Sequence, residues 1–231
     1  MIKAVFFDLY HTLVRYDPPL EELQAKVLKD FGIEVKPEIF SRPLVIADEF
    51  IYQEIAHSPL SQMSEKDKMA LYARYQGVLL KEAGVEASEQ LILGLLGKMR
   101  QFHMKLVLFD DVMPALTELK GQGLILGLIS NIDRDIAPLL NKLGLTSLLQ
   151  VVMTSQDVGF NKPQPEIFQE ALRQAGVQAP EAIYVGDQYQ IDVVGANKAG
   201  MKGVLLDRGD YFEETADCLR IQSLTQVVEH L

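Results

Sequence analysis

The sequence predicts an α/β fold, a parallel sheet of βα units interrupted by an all-helical insertion. Short apolar runs recur at Ile2–Phe7 (IKAVFF), Ile125–Ile129, Val151–Met153, Ala182–Val185 and Gly203–Leu206, each alternating with a helical pattern of roughly ten residues or more. Between the first run and Ile125 the texture changes. Leu20–Phe31, Ile39–His57, Lys66–Ala83 and Glu89–Phe102 carry apolar residues at helical spacing, with no convincing strand among them. A third observation concerns position: polar, chemistry-bearing residues stand just beyond the apolar runs, where open parallel sheets bind their ligands.

Taken in order, the run at Ile2–Phe7 is β-branched and aromatic and ends on Asp8, as a buried strand delivering a carboxylate at its carboxyl end would. The four helical segments form the insertion, expected at residues 16–102, with the core at residues 1–15 and 103–231. Asp17-Pro18-Pro19 on entry and the stretch before Met113-Pro114 on return are the expected connectors, because proline biases its neighbours away from helix. The four later runs supply the remaining strands. Asp133 is expected to cap a helix over Ile136–Leu143. Tyr72, Tyr75, Met63 and Met69 are expected in the core of the helical insertion.

Composition excludes several classes. With 231 residues, 48% hydrophobic and 23% charged, the chain is globular and large enough for a core with a companion unit. Thirty-two acidic against twenty-two basic side chains give a net charge of −10, the wrong sign for a surface that tracks phosphates along a nucleic acid. Cys218 is the one cysteine, which excludes an intramolecular disulfide and a multi-cysteine metal site and suits a reducing compartment; a cytoplasmic location is expected. No apolar stretch approaches the ~18 residues of a membrane span, so no membrane partner is expected. There is no G-x-G-x-x-G fingerprint after a strand and no G-x-x-x-x-G-K-[ST] loop. The insertion is compatible with a monomer or with a partner on its apolar face.

The strand ends assemble a consistent set: Asp8, Tyr10 and Thr12 after the first, Ser130 and Asn131 after the second, Lys162 in the loop beyond the third, Asp187 and Asp192 beyond the fourth. Carboxylates within reach of each other repel unless a cation sits among them. Oxygen ligands without histidine or cysteine are what Mg²⁺ prefers, commonly one or two carboxylates with waters and a substrate phosphate. Mg²⁺ is therefore expected on Asp8 and Asp187, with Asp192 directly or through water and with the backbone carbonyl of Tyr10. Asp8 can then act as nucleophile, since a covalent aspartyl intermediate splits one hard displacement into two easier steps. Lys162 would orient Asp8 and the transferring group, and Ser130 would hold a phosphoryl oxygen.

The segments FFDLYHTL, ISN, NKPQPEIF and VGDQYQIDVVGANKAGM resemble, in order and wide spacing, the four motifs of the haloacid dehalogenase-like hydrolase superfamily. The insertion stands where the helical cap of that superfamily's first subfamily belongs. The resemblance implies a Rossmann-like core, an Asp8 nucleophile, a hydroxyl at Ser130, a lysine at Lys162 and metal-side acids at Asp187 and Asp192. It also implies a small phosphorylated substrate, or a halogenated one, because most members are Mg²⁺-dependent phosphatases and some are metal-free dehalogenases.

Two residues depart from the phosphatase pattern. Tyr10 replaces a second aspartate that serves as general acid and base, and His11 replaces the usual glycine. Tyrosine at this place resembles the 2-haloacid dehalogenase branch, where halide leaves without a proton. That branch, however, carries a serine–serine–asparagine run where this chain has Gly186-Asp187-Gln188, and the Asp187/Asp192 pair makes sense around a metal. The reading is a Mg²⁺ phosphohydrolase with an altered acid–base slot; a 2-haloacid dehalogenase using Asp8 and a non-catalytic phosphate-binding relative are the alternatives. A phenol donates a proton but is a poor base at neutral pH, and His11 beside it is the other candidate for the acid–base slot.

Overall fold

The computed structural model describes residues 1–212 and 218–231. In chain order the elements are β1 (Ala4–Phe7), β2 (Val14–Asp17), α1 (Leu20–Lys29), α2 (Ser41–His57), α3 (Glu65–Glu82), α4 (Glu89–Met99), β3 (Lys105–Leu108), α5 (Val112–Gly121), β4 (Ile125–Ser130), α6 (Ala137–Lys142), β5 (Val151–Thr154), α7 (Ser155–Val158), α8 (Pro165–Ala175), β6 (Ala182–Gly186), α9 (Val194–Lys198), β7 (Lys202–Leu206) and β8 (Leu219–Ile221). A π-helical turn, Tyr189–Val193, runs into α9.

The chain divides into two compact units, Met1–Arg15 with Val107–Leu231, and Tyr16–Leu106. The first is built on a six-stranded sheet in the order β5-β4-β1-β6-β7-β8, with parallel pairing throughout. β1 lies at its centre, registering Phe7 with Leu128 on one side and with Val185 on the other. All four β1 residues are buried, as expected of a strand covered on both faces. Phe6, Ile129, Met153, Phe168 and Tyr184 belong to one core cluster, with Phe168 and Tyr184 packed edge to face. Gly127 on β4 is required by this packing, since a Cβ there would lie 2.5 Å from the Phe6 ring.

The second unit packs α1 to α4 around Leu23, Val27, Leu28, Phe40, Leu44, Leu79, Leu80 and Leu95. Burying each such side chain contributes roughly 1.5–3 kcal/mol. Gln24 and Gln76, buried in its interior, exchange reciprocal amide hydrogen bonds at 3.2 and 2.9 Å. Tyr75 packs against this cluster, whereas Met63, Met69 and Tyr72 are half-buried outside it. Among the described residues no helix is long and apolar enough to cross a membrane.

The structure corrects several local expectations. β2 and β3, where the chain passes between units, pair as a separate two-stranded sheet, and β8 adds a further edge strand. The stretch before Met113-Pro114, expected as a connector, contains β3, and Met113-Pro114 itself lies in the first turn of α5, where a proline has no intrahelical N–H bond to lose. The first turn of α6 is held by Asp135, which accepts from the Ala137 N–H at 2.9 Å, rather than by Asp133.

Candidate functional site

Adjacency in the sheet brings distant sequence segments together. Because β4, β1 and β6 are neighbours, the residues at or just beyond their carboxyl ends (Ser130–Asn131, Asp8 and Gly186–Asp187) converge on one stretch of the carboxyl edge. The Asp8 N–H donates to the Val185 carbonyl at 2.9 Å, which fixes the first residue beyond β1 against β6. The loop bearing Lys162 is fastened to the end of β4 by Asn131. Its amide accepts from the Lys162 N–H at 2.7 Å and donates to the Lys162 carbonyl at 3.0 Å. Asn131 is thus a backbone fastener, with its side chain engaged on both sides.

Lys162 is 3% exposed and uses all three ammonium hydrogens. It donates to Asp8 Oδ1 at 2.7 Å, to Asp192 Oδ1 at 2.6 Å and to the Tyr184 hydroxyl at 2.8 Å. Ser130 Oγ donates to the same Asp8 oxygen at 3.0 Å. Burial disfavours the Lys162 ammonium, but the Asp192 and Asp8 carboxylates outweigh it and hold the group above its ordinary value. Asp192 is fully engaged: Oδ1 faces Lys162, and Oδ2 accepts from the Gln188 N–H at 3.0 Å. Burial raises its carboxyl, opposed by Lys162. Gly186 makes room for it, since a Cβ at that position would overlap the Asp192 carboxylate.

Tyr184 carries a role that sequence reading assigned to no residue. Its buried hydroxyl accepts from Lys162 and lies within donating distance of the Ile129 carbonyl (3.0 Å) and of Asp192 Oδ1 (3.1 Å). Burial, with Asp192 and Asp8 nearby, pushes the phenol well above its usual range, so it stays protonated. The available signal was a hydroxyl inside an otherwise apolar strand, which must find a partner when buried.

Asp187 accepts from Thr12 Oγ1 at 3.3 Å and from Gln188 Nε2 at 3.0 Å. Its carboxyl is pushed up to about 7, chiefly by burial; the His11 charge lowers it, and the Asp192 and Asp8 carboxylates raise it. His11 is among the groups around Asp187. It occupies the left-handed region, φ 59°, inside the tight turn Leu9–Val14, a conformation that explains why glycine is usual there. Tyr10, half-buried, accepts at its hydroxyl from Arg134 Nη2 at 3.1 Å.

Asp8 and Asp192 face the one ammonium of this cluster and Asp187 stands beside them without one, an excess of acidic groups that a cation would relieve. Among the described residues no three His, Cys, Asp or Glu side chains form a metal-holding group by themselves. With Asp192 held by Lys162, Asp8 and Asp187 are the carboxylates of this cluster that remain as oxygen donors. That set suits Mg²⁺, which is commonly bound by one or two carboxylates with the substrate completing the shell.

The fold and this carboxylate–lysine cluster define an enzyme, a hydrolase with a Rossmann-like core. The sequence model of the haloacid dehalogenase-like hydrolase family matches residues 5–206, and the chain belongs to that family. It is 31% identical, over 91% of its length and 86% of the relative's, to a glyceraldehyde 3-phosphate phosphatase of Methanopyrus kandleri. It is 33% identical, over 90% of its length and 86% of the relative's, to the enzyme of the same name from Methanothermobacter thermautotrophicus. Among solved structures, a 2-haloacid dehalogenase from Pseudomonas syringae pv. Tomato superimposes with a TM-score of 0.56 at 27% identity, covering 99% of this chain and 97% of that one.

Proposed function

We propose that the protein is a Mg²⁺-dependent phosphatase of small phosphorylated molecules that works through an aspartyl-phosphate on Asp8. The observation that carries this reading is the pair of bonds to one Asp8 oxygen: Lys162 and Ser130 both donate to Oδ1, which leaves Oδ2 to attack. Relatives named as phosphatases, similar over about nine-tenths of the chain, support phosphorus as the centre attacked.

Asp8, Asp187 and the Tyr10 carbonyl would hold Mg²⁺, with Asp192 acting through Lys162 or a bound water; when bound, the ion neutralises charge on the transferring phosphoryl group. Asp8 Oδ2 forms a bond to phosphorus as the bond to the substrate oxygen breaks, and the leaving oxygen takes up a proton. Lys162 keeps Asp8 aimed and offsets charge on the transferring group. A water then attacks phosphorus, releasing inorganic phosphate and restoring the Asp8 carboxylate. Thr12 orients Asp187, and Asn131 keeps the Lys162 loop in place. Tyr10 stands where a second aspartate usually shuttles the proton; its phenol can donate to the leaving oxygen but is a poor base for the water.

A second reading, a 2-haloacid dehalogenase, is favoured by Tyr10 and by the superimposable dehalogenase structure. It is disfavoured by Asp187, whose half-buried carboxylate has no purpose in a metal-free site. Hydrolysis of para-nitrophenyl phosphate, with Mg²⁺ and with EDTA, separates them when Asp8→Asn serves as the blank. Turnover that needs both Mg²⁺ and Asp8 supports the phosphatase; halide release from 2-chloropropionate without phosphate release would support the dehalogenase.

A further inference from the structure

Arg208, two residues beyond β7, lies past the last residue matched by the family model, yet its bonds run toward the site. Its guanidinium grips Asp111 with both terminal nitrogens, at 2.9 and 3.0 Å, and Nη2 also donates to the Thr12 carbonyl at 2.9 Å. Its Cζ lies over the Phe109 ring, 4.0 Å from the centroid. Asp111 is in turn fixed by the C-terminal segment: Ser223 Oγ and the Leu224 N–H both donate to it at 2.9 Å. Burial alone would raise the Asp111 carboxyl, but Arg208, Leu224 and Ser223 together hold it below its ordinary value.

The far end of this chain is Thr12, fully buried, whose hydroxyl donates to Asp187. Thr12 lies in the turn Leu9–Val14, closed by the Leu13 and Val14 N–H groups on the Leu9 carbonyl and strained by the left-handed His11. Such a turn needs outside support to keep one geometry. Two contacts provide it: Arg208 on the Thr12 carbonyl, and the Phe109 N–H on the Leu13 carbonyl at 3.1 Å. A fork fixed on a carboxylate and lying over a ring is a rigid donor, which a lysine cannot reproduce.

We propose that Arg208 is a positioning residue for the hydrolytic reaction: braced by Asp111, Ser223 and Phe109, it fixes the Thr12 carbonyl and so the turn that follows Asp8. The proposal rests on the phosphatase reading and extends it to a part of the chain outside the family match. Arg208 touches no reacting atom; it acts through Thr12. Misplacing a reacting group by about an ångström from a distant substitution costs on the order of a hundredfold in rate, so kcat should respond far more than KM.

The test compares Arg208→Lys and Arg208→Ala with the wild type on para-nitrophenyl phosphate, with thermal unfolding monitored in parallel. Both variants should be folded at the assay temperature, lose roughly ten- to hundredfold in kcat and keep KM within about twofold. Added ethylguanidinium should restore part of the kcat of Arg208→Ala and none of that of Arg208→Lys. Folded Arg208→Lys with wild-type kcat would overturn the proposal; so would losses that follow the unfolded fraction and do not respond to ethylguanidinium. If wild-type turnover does not depend on Asp8, the phosphatase reading and the proposal fall together, whereas a failure confined to the Arg208 variants overturns the proposal alone.

Discussion

Lys162 Nζ stands 2.7 Å from Asp8 Oδ1, and both side chains are almost wholly excluded from solvent. A buried ion pair is poor evidence for net stabilisation, but removing one partner leaves the other charge stranded, at a cost of roughly 3–5 kcal/mol. Lys162→Met should abolish turnover and lower stability on that scale, because Asp8 and Asp192 both lose their counter-charge. Urea unfolding of the variant checks it. A midpoint equal to that of the wild type would mean that the three groups are not coupled as described.

Asp187 supplies a pH prediction. In the metal-free protein its carboxyl is held near 7 by burial, against 3.8 as the ordinary value. Its folded pKa is raised, so its contribution to stability is full at pH below about 4 and is lost as pH rises through about 7. Divalent cations need the carboxylate, so Mg²⁺ binding should release close to one proton at pH 6 and almost none at pH 8. Titration calorimetry in buffers of different ionisation enthalpy measures that number; a proton count independent of pH would exclude Asp187 as a ligand.

Asp111 behaves in the opposite sense. Its carboxyl is held below its ordinary value, so the stability it confers is present above about pH 4 and lost as pH falls through its lowered value. Asp111→Asn should therefore lower the unfolding temperature at pH 6 and make progressively less difference toward pH 2.5. Thermal melts across that range decide it. A deficit that stays constant down to pH 2.5 would show that the charge is not what matters.

Tyr10 leads to a kinetic prediction. With a phenol where an aspartate usually shuttles the proton, the rate should depend steeply on the leaving group: aryl and acyl phosphates should turn over much faster than alkyl phosphates. Tyr10→Asp should narrow that gap. Equal rates for para-nitrophenyl phosphate and an alkyl phosphate in the wild type would show that a competent acid is present.

What the sequence made legible follows from local physics. β1, β4, β5, β6 and β7 are largely buried and contain short apolar runs, and beyond the first four of them the polar residues at or after the carboxyl ends could be named. β2 and β3 are four residues each and partly exposed; their pairing joins segments about ninety residues apart, which no local pattern announces. Tyr184 was hidden because an aromatic residue in a core strand reads as packing until its hydroxyl partners are known. Arg208 and Asp111 were hidden because each looks like an ordinary loop charge, and their meaning is the contact between them. The capping role fell to Asp135 rather than Asp133 because α6 begins only at Ala137.

The central claim is a covalent phosphoryl group on Asp8. Quenching the enzyme during steady-state turnover of para-nitrophenyl phosphate and reducing it with borohydride converts an aspartyl-phosphate to homoserine, which peptide mass spectrometry locates. Homoserine at position 8, dependent on substrate, is the predicted result. Sustained turnover with position 8 unmodified, or undiminished turnover in Asp8→Asn, would contradict the mechanism.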